Sequence, residues 1–103
     1  MPEAPGNQCP ACRIEVDGTT VKVAGELDVS VASALARALD VAFAGGAARI
    51  VLDLHEVRFL DASCLEVIHA ARYTHDGALE VVGARGIVER VFHISGLGSV
   101  LTR

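Results

Sequence analysis

One segment constrains this chain more than any other: an apolar run that leads into a helix, with a hydroxyl group at the junction. Residues 50–54 are apolar except for one aspartate, as in a buried strand. Ser63 is followed three residues later by Glu66 and then by an apolar helical run. This capping-box pattern predicts that the Ser63 side chain accepts the N–H of Glu66 while Glu66 reaches back. We therefore expect a buried strand, a loop through residues 55–60, and a helix whose first turn presents Ser63.

The other elements follow from apolar periodicity and from turn residues. Residues 14–16 and 21–23 alternate around Asp17-Gly18, which predicts a β-hairpin. Helices are predicted at 29–44, 63–73 and 86–94, and further strands at 49–54 and 79–82. The last helix is expected to pack through Ile87, Val91 and Ile94, and residues 99–103 to fold back through Val100 and Leu101. The order β-β-α-β-α-β-α favours an α/β domain: a small mixed sheet with a hairpin edge and parallel strands, covered by helices.

The chain of 103 residues is long enough for one domain. Residues 1–12 have prolines and no apolar period, which predicts a flexible N-terminal tail before a domain at 13–103. Cys9 and Cys12 form a C-x-x-C pair that could belong to a zinc site or a redox motif. No second pair supplies the remaining zinc ligands, and a redox motif belongs at a helix start, so we expect neither.

Charge and hydropathy exclude several function classes. The formal net charge is −4 and Lys22 is the only lysine, whereas nucleic-acid binding needs clustered basic residues. No apolar run approaches the roughly 20 residues of a membrane helix. The N-terminus lacks the features of a secretion signal. We expect a cytoplasmic protein that does not bind nucleic acid and does not insert into a membrane.

Acidic side chains are predicted to gather around Ser63. Sites in parallel sheets form at the carboxyl ends of strands, and four acids follow two such ends: Glu26, Asp28, Asp61 and Glu66. A receiver-type magnesium site also needs a lysine after a late strand, where this chain has Val82-Gly83.

A nucleophilic role for Ser63 would need a base, and the nearest histidines, His55 and His69, have no evident route to the hydroxyl. Cys64 at a helix N-terminus could be a reactive thiolate, but the neighbouring acids oppose this. We expect no enzyme and no bound metal.

The junction also resembles the signature of STAS domains, the family of bacterial anti-sigma-factor antagonists. The resemblance lies in Leu52-Asp53-Leu54 and in residues 57–63, Val-Arg-Phe-Leu-Asp-Ala-Ser, with support from Gly-Glu-Leu-Asp at 25–28 and Ile-Ser-Gly-Leu at 94–97. Ser63 occupies the family's phosphoacceptor position. Ala62 stands where the signature has a first serine, and Cys64 where it has a glycine, so a cysteine side chain could obstruct a partner's approach.

The resemblance implies a partner and a switch. The partner would be an anti-sigma factor that is also a serine kinase; it would use its own ATP and Mg²⁺ to phosphorylate Ser63, and a phosphatase would reset the switch. The implied partner-binding residues are Glu26, Asp28, Asp61, Ala62, Cys64, Leu65 and Glu66. The alternative is a non-catalytic STAS scaffold or a small subunit of a lipid-transport ATPase complex.

Overall fold

The computed structural model describes residues 12–102, which form one mixed sheet with three α-helices. The strands are β1 (Cys12–Asp17), β2 (Thr20–Leu27), β3 (Ile50–Leu60), β4 (Leu79–Val82) and β5 (Leu101–Thr102). The α-helices are α1 (Ala32–Ala44), α2 (Ala62–Thr74) and α3 (Ile87–Ile94), and 3-10 turns lie at Val29–Val31 and Gly98–Val100. This is the predicted α/β architecture, with the C-terminal segment adding a fifth strand.

The hairpin forms as predicted. β1 and β2 are antiparallel, with Asp17 opposite Thr20 and Ile14 opposite Val23. Gly18 opens the two-residue loop with a φ of 62°, a value that favours glycine and is typical of hairpin turns that match the sheet twist.

All helices cover one face of the sheet. The strand order is β1-β2-β3-β4-β5, and the pairs from β2 to β5 are parallel. Each crossover therefore moves in the same direction along the sheet, and right-handed connections place α1, α2 and α3 on the same side. Ile50, Leu52 and Leu54 point into the resulting apolar core, and each is fully buried.

Strand β3 is longer than predicted. Its pairing with β2 shifts register twice, between Lys22 and Ala24 and between Gly25 and Glu26. Each shift places one extra residue in β3, as in a β-bulge. The spacing of buried residues therefore changes from two to three, from Leu54 to Val57 to Leu60. The prediction of a loop at residues 55–60 was wrong, because the bulges interrupt the two-residue spacing of buried side chains that indicates a strand.

Helix α3 packs through a different face from the predicted one. Val88 and Phe92 are buried, whereas Ile87 is 54% and Ile94 76% exposed. Apolar residues cover a wide arc of this short helix. Their spacing alone does not show which part of the arc faces the core, and the predicted part was the wrong one. The C-terminal prediction is confirmed, because Val100 is buried and Leu101 pairs with Val81.

Cys12 begins β1, at the last residue of the predicted tail. Residues 1–11, with Cys9 of the C-x-x-C pair, lie outside the described part, so the tail and the interpretation of that pair stay predictions.

Candidate functional site

The ends of β2 and β3 bring the predicted site residues to one edge of the sheet. The N–H of Asp61 donates to the carbonyl of Leu27 at 3.0 Å, and Leu27 pairs with Leu60. The thiol of Cys64 donates to the carbonyl of Asp28, with 3.3 Å between Sγ and O. These two bonds fasten the segment around Asp28 to the start of α2, as the topology predicted.

Asp61, not Ser63, caps α2. Its Oδ1 accepts the N–H of Ser63 at 2.9 Å and that of Cys64 at 3.3 Å, and its backbone is extended. Ser63 is already in the first helical turn, where it cannot be the N-cap. The predicted capping box of Ser63 and Glu66 was therefore wrong: the aspartate two residues earlier has the extended geometry that capping requires.

The Ser63 hydroxyl remains available for chemistry. No hydrogen bond joins it to another group within residues 12–102. In that range, Arg72 Nε is the one buried side-chain nitrogen or oxygen atom without a partner. The Ser63 residue is half-buried, and its Oγ atom is not among the fully buried atoms, so it keeps some exposure to solvent. An incoming protein can reach this oxygen without breaking an existing bond.

Cys64 is part of the core. Its side chain is 0% exposed, so it lies beneath the site surface and does not obstruct a partner. Burial, and then the charges of Asp61 and Asp28, raise the pKa of the Cys64 thiol to about 12. The thiol is therefore protonated at neutral pH, which argues against a reactive thiolate.

The predicted partner-binding residues divide into two groups. Glu26, Asp28, Ala62 and Glu66 are exposed, and Asp61 is half-buried. The side chains of Cys64 and Leu65 are buried at 0% and 5% exposure. These two side chains point inward from the first turn of α2 and lie outside the exposed surface, and the partner-binding role of the whole set stays a prediction.

Two exposed apolar residues at the same edge were missed. Val29, the residue after Asp28, is 67% exposed, and Phe59, which pairs with Glu26 on the neighbouring strand, is 41% exposed. The bulges in β3 turn Phe59 outward, which the sequence period concealed. The only available signal was that Phe59 is one of three phenylalanines in the chain and lies beside the aspartate-serine motif. The edge thus combines acidic groups with apolar ones.

The histidines do not serve Ser63. His55 lies in β3, not in a loop, and its Nδ1 is 2.8 Å from Asp53 Oδ1. A Cβ on Gly83 would lie 2.6 Å from the His55 ring, so the ring sits against that glycine. His69 is exposed on α2. Within the described residues, no histidine bonds to Ser63, and no group of three or more His, Cys, Asp or Glu could hold a metal ion.

The geometry suits a surface whose charge changes by modification. The N–H groups of Ser63 and Cys64 already bind Asp61, so a group added to Ser63 Oγ would not be drawn into these backbone donors. It would remain on the surface near Asp61 and Asp28.

Comparisons with known proteins agree with this architecture. The family described as "Mlab, STAS domain" matches residues 11–102. A crystal structure of an anti-sigma factor antagonist from Mycobacterium paratuberculosis has a TM-score of 0.73 and 29% identity, covering 87% of this chain and 80% of that one.

Two more distant structures share the fold. The Bacillus cell fate determinant SpoIIAA in its phosphorylated form has a TM-score of 0.64 and 22% identity, covering 89% of both chains. The anti-sigma factor antagonist SpoIIAA in its unphosphorylated form gives 0.65 and 22%, covering 89% of this chain and 86% of that one. No curated protein matches the sequence significantly. Across residues 12–102, none of the helices has the length and apolar character needed to span a membrane.

Proposed function

Because the chain belongs to the STAS domain family, we propose that it is an anti-sigma-factor antagonist switched by phosphorylation of Ser63. It binds an anti-sigma factor that is also a serine kinase, and this binding frees a sigma factor for transcription. The observation that carries the proposal is the Ser63 hydroxyl, which has no hydrogen-bond partner within residues 12–102 and lies in the helical turn that Asp61 caps. The similarity to the mycobacterial anti-sigma factor antagonist supports the same function.

Electrostatics explains how the switch would operate. A phosphate on Ser63 adds roughly 1.5–2 negative charges at neutral pH. The carboxylate of Asp61 lies in the same helical turn, and Asp28 lies on the adjoining segment. A partner that matches the unmodified edge then meets excess negative charge and a bulkier side chain. The fold survives, because negative charge at a helix N-terminus is favourable.

The edge also defines the chemistry of the partner surface. Exposed Glu26, Asp28 and Glu66 call for basic side chains, which strengthen association with an acidic surface. Val29 and Phe59 supply the apolar area that a stable interface needs at its centre. We expect the partner to present arginine or lysine around an apolar pocket.

The catalytic components belong to other proteins. The kinase partner supplies ATP and Mg²⁺, and a separate phosphatase removes the phosphate in the cytoplasm. This chain is the substrate of both reactions and catalyses neither.

The test uses the anti-sigma kinase of the source organism with ATP and Mg²⁺. We expect phosphate on Ser63 and none on Ser30, the serine at the equivalent position of the 3-10 turn. Ser63→Asp should weaken kinase binding by at least about 100-fold, whereas Ser63→Ala should bind whether or not ATP is present. Phosphate at another residue, or equal binding by wild type and Ser63→Asp, would refute the switch.

A second candidate is a non-catalytic scaffold or a small subunit of a lipid-transport ATPase complex. Ala62 and Cys64 favour it, since they depart from the antagonist signature on both sides of Ser63. In that case the same edge would bind its partner without ATP-dependent release. Co-purification with the ATPase, unchanged by incubation with ATP and kinase, would select this candidate.

A further inference from the structure

The outer side of β1 carries backbone groups that no strand of residues 12–102 pairs with. Among the described strands, β1 ends the sheet order and bonds only to β2. Asp17 and Thr20 close a two-residue hairpin loop, so they form a hydrogen-bonded pair. Because hydrogen-bonded and non-hydrogen-bonded pairs alternate along an antiparallel ladder, this pair determines which residues of β1 bond to β2. The N–H and C=O groups of Arg13 and Glu15 therefore point to β2, and those of Ile14 and Val16 point outward. Such an edge can pair with another strand.

Two exposed valines flank this edge on the helix-covered side. Val16 is 41% exposed. In α1, which packs over β1 and β2, Phe43 stacks on His75 at the end of α2. Val41 lies about 200° around the helix from Phe43, so it faces away from α2, toward the side of β1, and is 59% exposed. Within residues 12–102, the edge thus combines backbone groups that no strand pairs with and apolar side chains that a neighbour would cover.

Charges on the open face select one way to pair two copies. Arg13 and Glu15 are exposed on the side of β1 opposite the buried Ile14. An antiparallel pair of β1 strands centred on residue 13 would place two arginines together, and one centred on residue 15 two glutamates. Centring on Ile14 places Arg13 of each copy opposite Glu15 of the other, in the pairs that are not hydrogen-bonded, where side chains come closest.

We propose that β1 pairs with β1 of a second copy in this register, about a two-fold axis at Ile14. The two five-stranded sheets then form one continuous sheet, and the exposed valines lie near the axis. The Ser63 sites remain open, because β2 separates β3 from the dimer edge in each copy and the two-fold places the sites at opposite ends. One short strand from each side gives a small interface, so we expect a weak dimer with a dissociation constant of about 10–100 μM.

The test is sedimentation velocity of the full chain from about 1 μM to 1 mM. We expect the apparent mass to rise from monomer to dimer over this range. Arg13→Glu and Glu15→Arg should each raise the dissociation constant at least about 10-fold, because each brings like charges together. The double variant Arg13→Glu, Glu15→Arg should restore the wild-type constant. Arg90→Glu, an equal charge change on exposed α3, is the matched control and should leave dimerisation much less affected.

Circular dichroism melts verify that all variants fold, as expected for substitutions at exposed positions. Hydrogen exchange locates the interface: the amides of Ile14 and Val16 should exchange more slowly as protein concentration rises, and the amide of Val91 in α3 should not change. A monomer throughout the range would overturn the proposal. So would a dimer that the double variant fails to restore, or one with unchanged exchange at Ile14 and Val16.

Discussion

The chain begins two helical segments with the same Asp-x-Ser pattern, and the two starts behave differently. Asp28-Val29-Ser30-Val31 opens the 3-10 turn before α1, and Asp61-Ala62-Ser63-Cys64 opens α2. In both, the aspartate is extended and caps the segment, the second residue is exposed, and the fourth is buried. The local sequence therefore fixes the direction of each side chain.

The helix type decides which serine is available. After Asp28 the turn is 3-10, and Val31 N–H donates to the Asp28 carbonyl; the Ser30 hydroxyl donates to Asp28 Oδ1. After Asp61 the turn is α-helical, and Asp61 Oδ1 accepts the N–H of Cys64 as well as that of Ser63. The same short motif thus produces one serine that bonds to its own cap and one that is open to solvent.

The largest expected effect concerns the fourth position, where α2 has a buried thiol and the 3-10 turn has Val31. The pKa of Cys64 is raised from 9.0 to about 12, so above pH 9 the unfolded chain loses this proton while the folded protein keeps it. Stability should then fall by about 1.4 kcal/mol per pH unit, or about 2–3 kcal/mol by pH 11. Urea unfolding between pH 8 and 11 measures this loss.

The matched control is Cys64→Ser, which keeps a donor for the Asp28 carbonyl and does not ionise in this range. Its stability should be lower at pH 8 but decline less steeply, since the other titrating groups are shared. Parallel curves for wild type and variant would contradict the protonated, buried thiol.

The two caps should differ in strength. Asp61→Ala removes an acceptor for two N–H groups at a half-buried helix start and should lower the free energy of unfolding by about 1–2 kcal/mol. Asp28→Ala removes a cap from a three-residue turn at an exposed site and should lower it by about 0.5–1 kcal/mol. Thermal and urea unfolding give both values. As a control, Asn at either position preserves the capping oxygen and should recover most of the loss. Equal losses for the two alanine variants would contradict the expected difference in strength between the two caps.

The smallest effect separates the two serines. Ser30→Ala removes the hydroxyl bonded to Asp28 and should lower stability by about 0.5 kcal/mol, as for an exposed hydrogen bond. Ser63→Ala removes no hydrogen bond, so the change should be below about 0.3 kcal/mol. Paired urea titrations resolve this difference. A loss at Ser63 larger than that at Ser30 would show that its hydroxyl stabilises the fold after all.

The sequence predicts the fold well because its signals are local and strong. The hairpin needs one turn glycine and alternating valines, and β4 needs a short apolar run; both lie where predicted. The meeting of Asp28 and Asp61 also follows from topology, since parallel strands end at one edge. Ser63 lies in the first turn of α2, as predicted, although the residue that caps the helix is Asp61 and not Ser63.

The errors arise where tertiary structure overrides a local pattern. The capping-box pattern suited Ser63, but the aspartate two residues earlier caps the helix instead, which places Ser63 inside the first turn. The outward turn of Phe59 depends on bulges formed against β2, and the packing face of α3 depends on its position over β3. The direction of Phe59 and the packing face of α3 both depend on contacts with other elements. Neither could therefore be predicted from the periodicity of one segment.

The bulges in β3 have a consequence for how this protein can vary. The segment from Leu54 to Leu60 holds three inward anchors at a spacing of three, and its outward residues are exposed. The fold should tolerate substitutions at those outward positions, although a change at Phe59 would alter the proposed partner surface. A single deletion there would turn the following side chains to the opposite face. It would also move Asp61 away from the N–H groups that it caps at the start of α2. Among relatives of this chain, gaps in an alignment should therefore avoid the stretch between Leu54 and Asp61, even though much of it is surface.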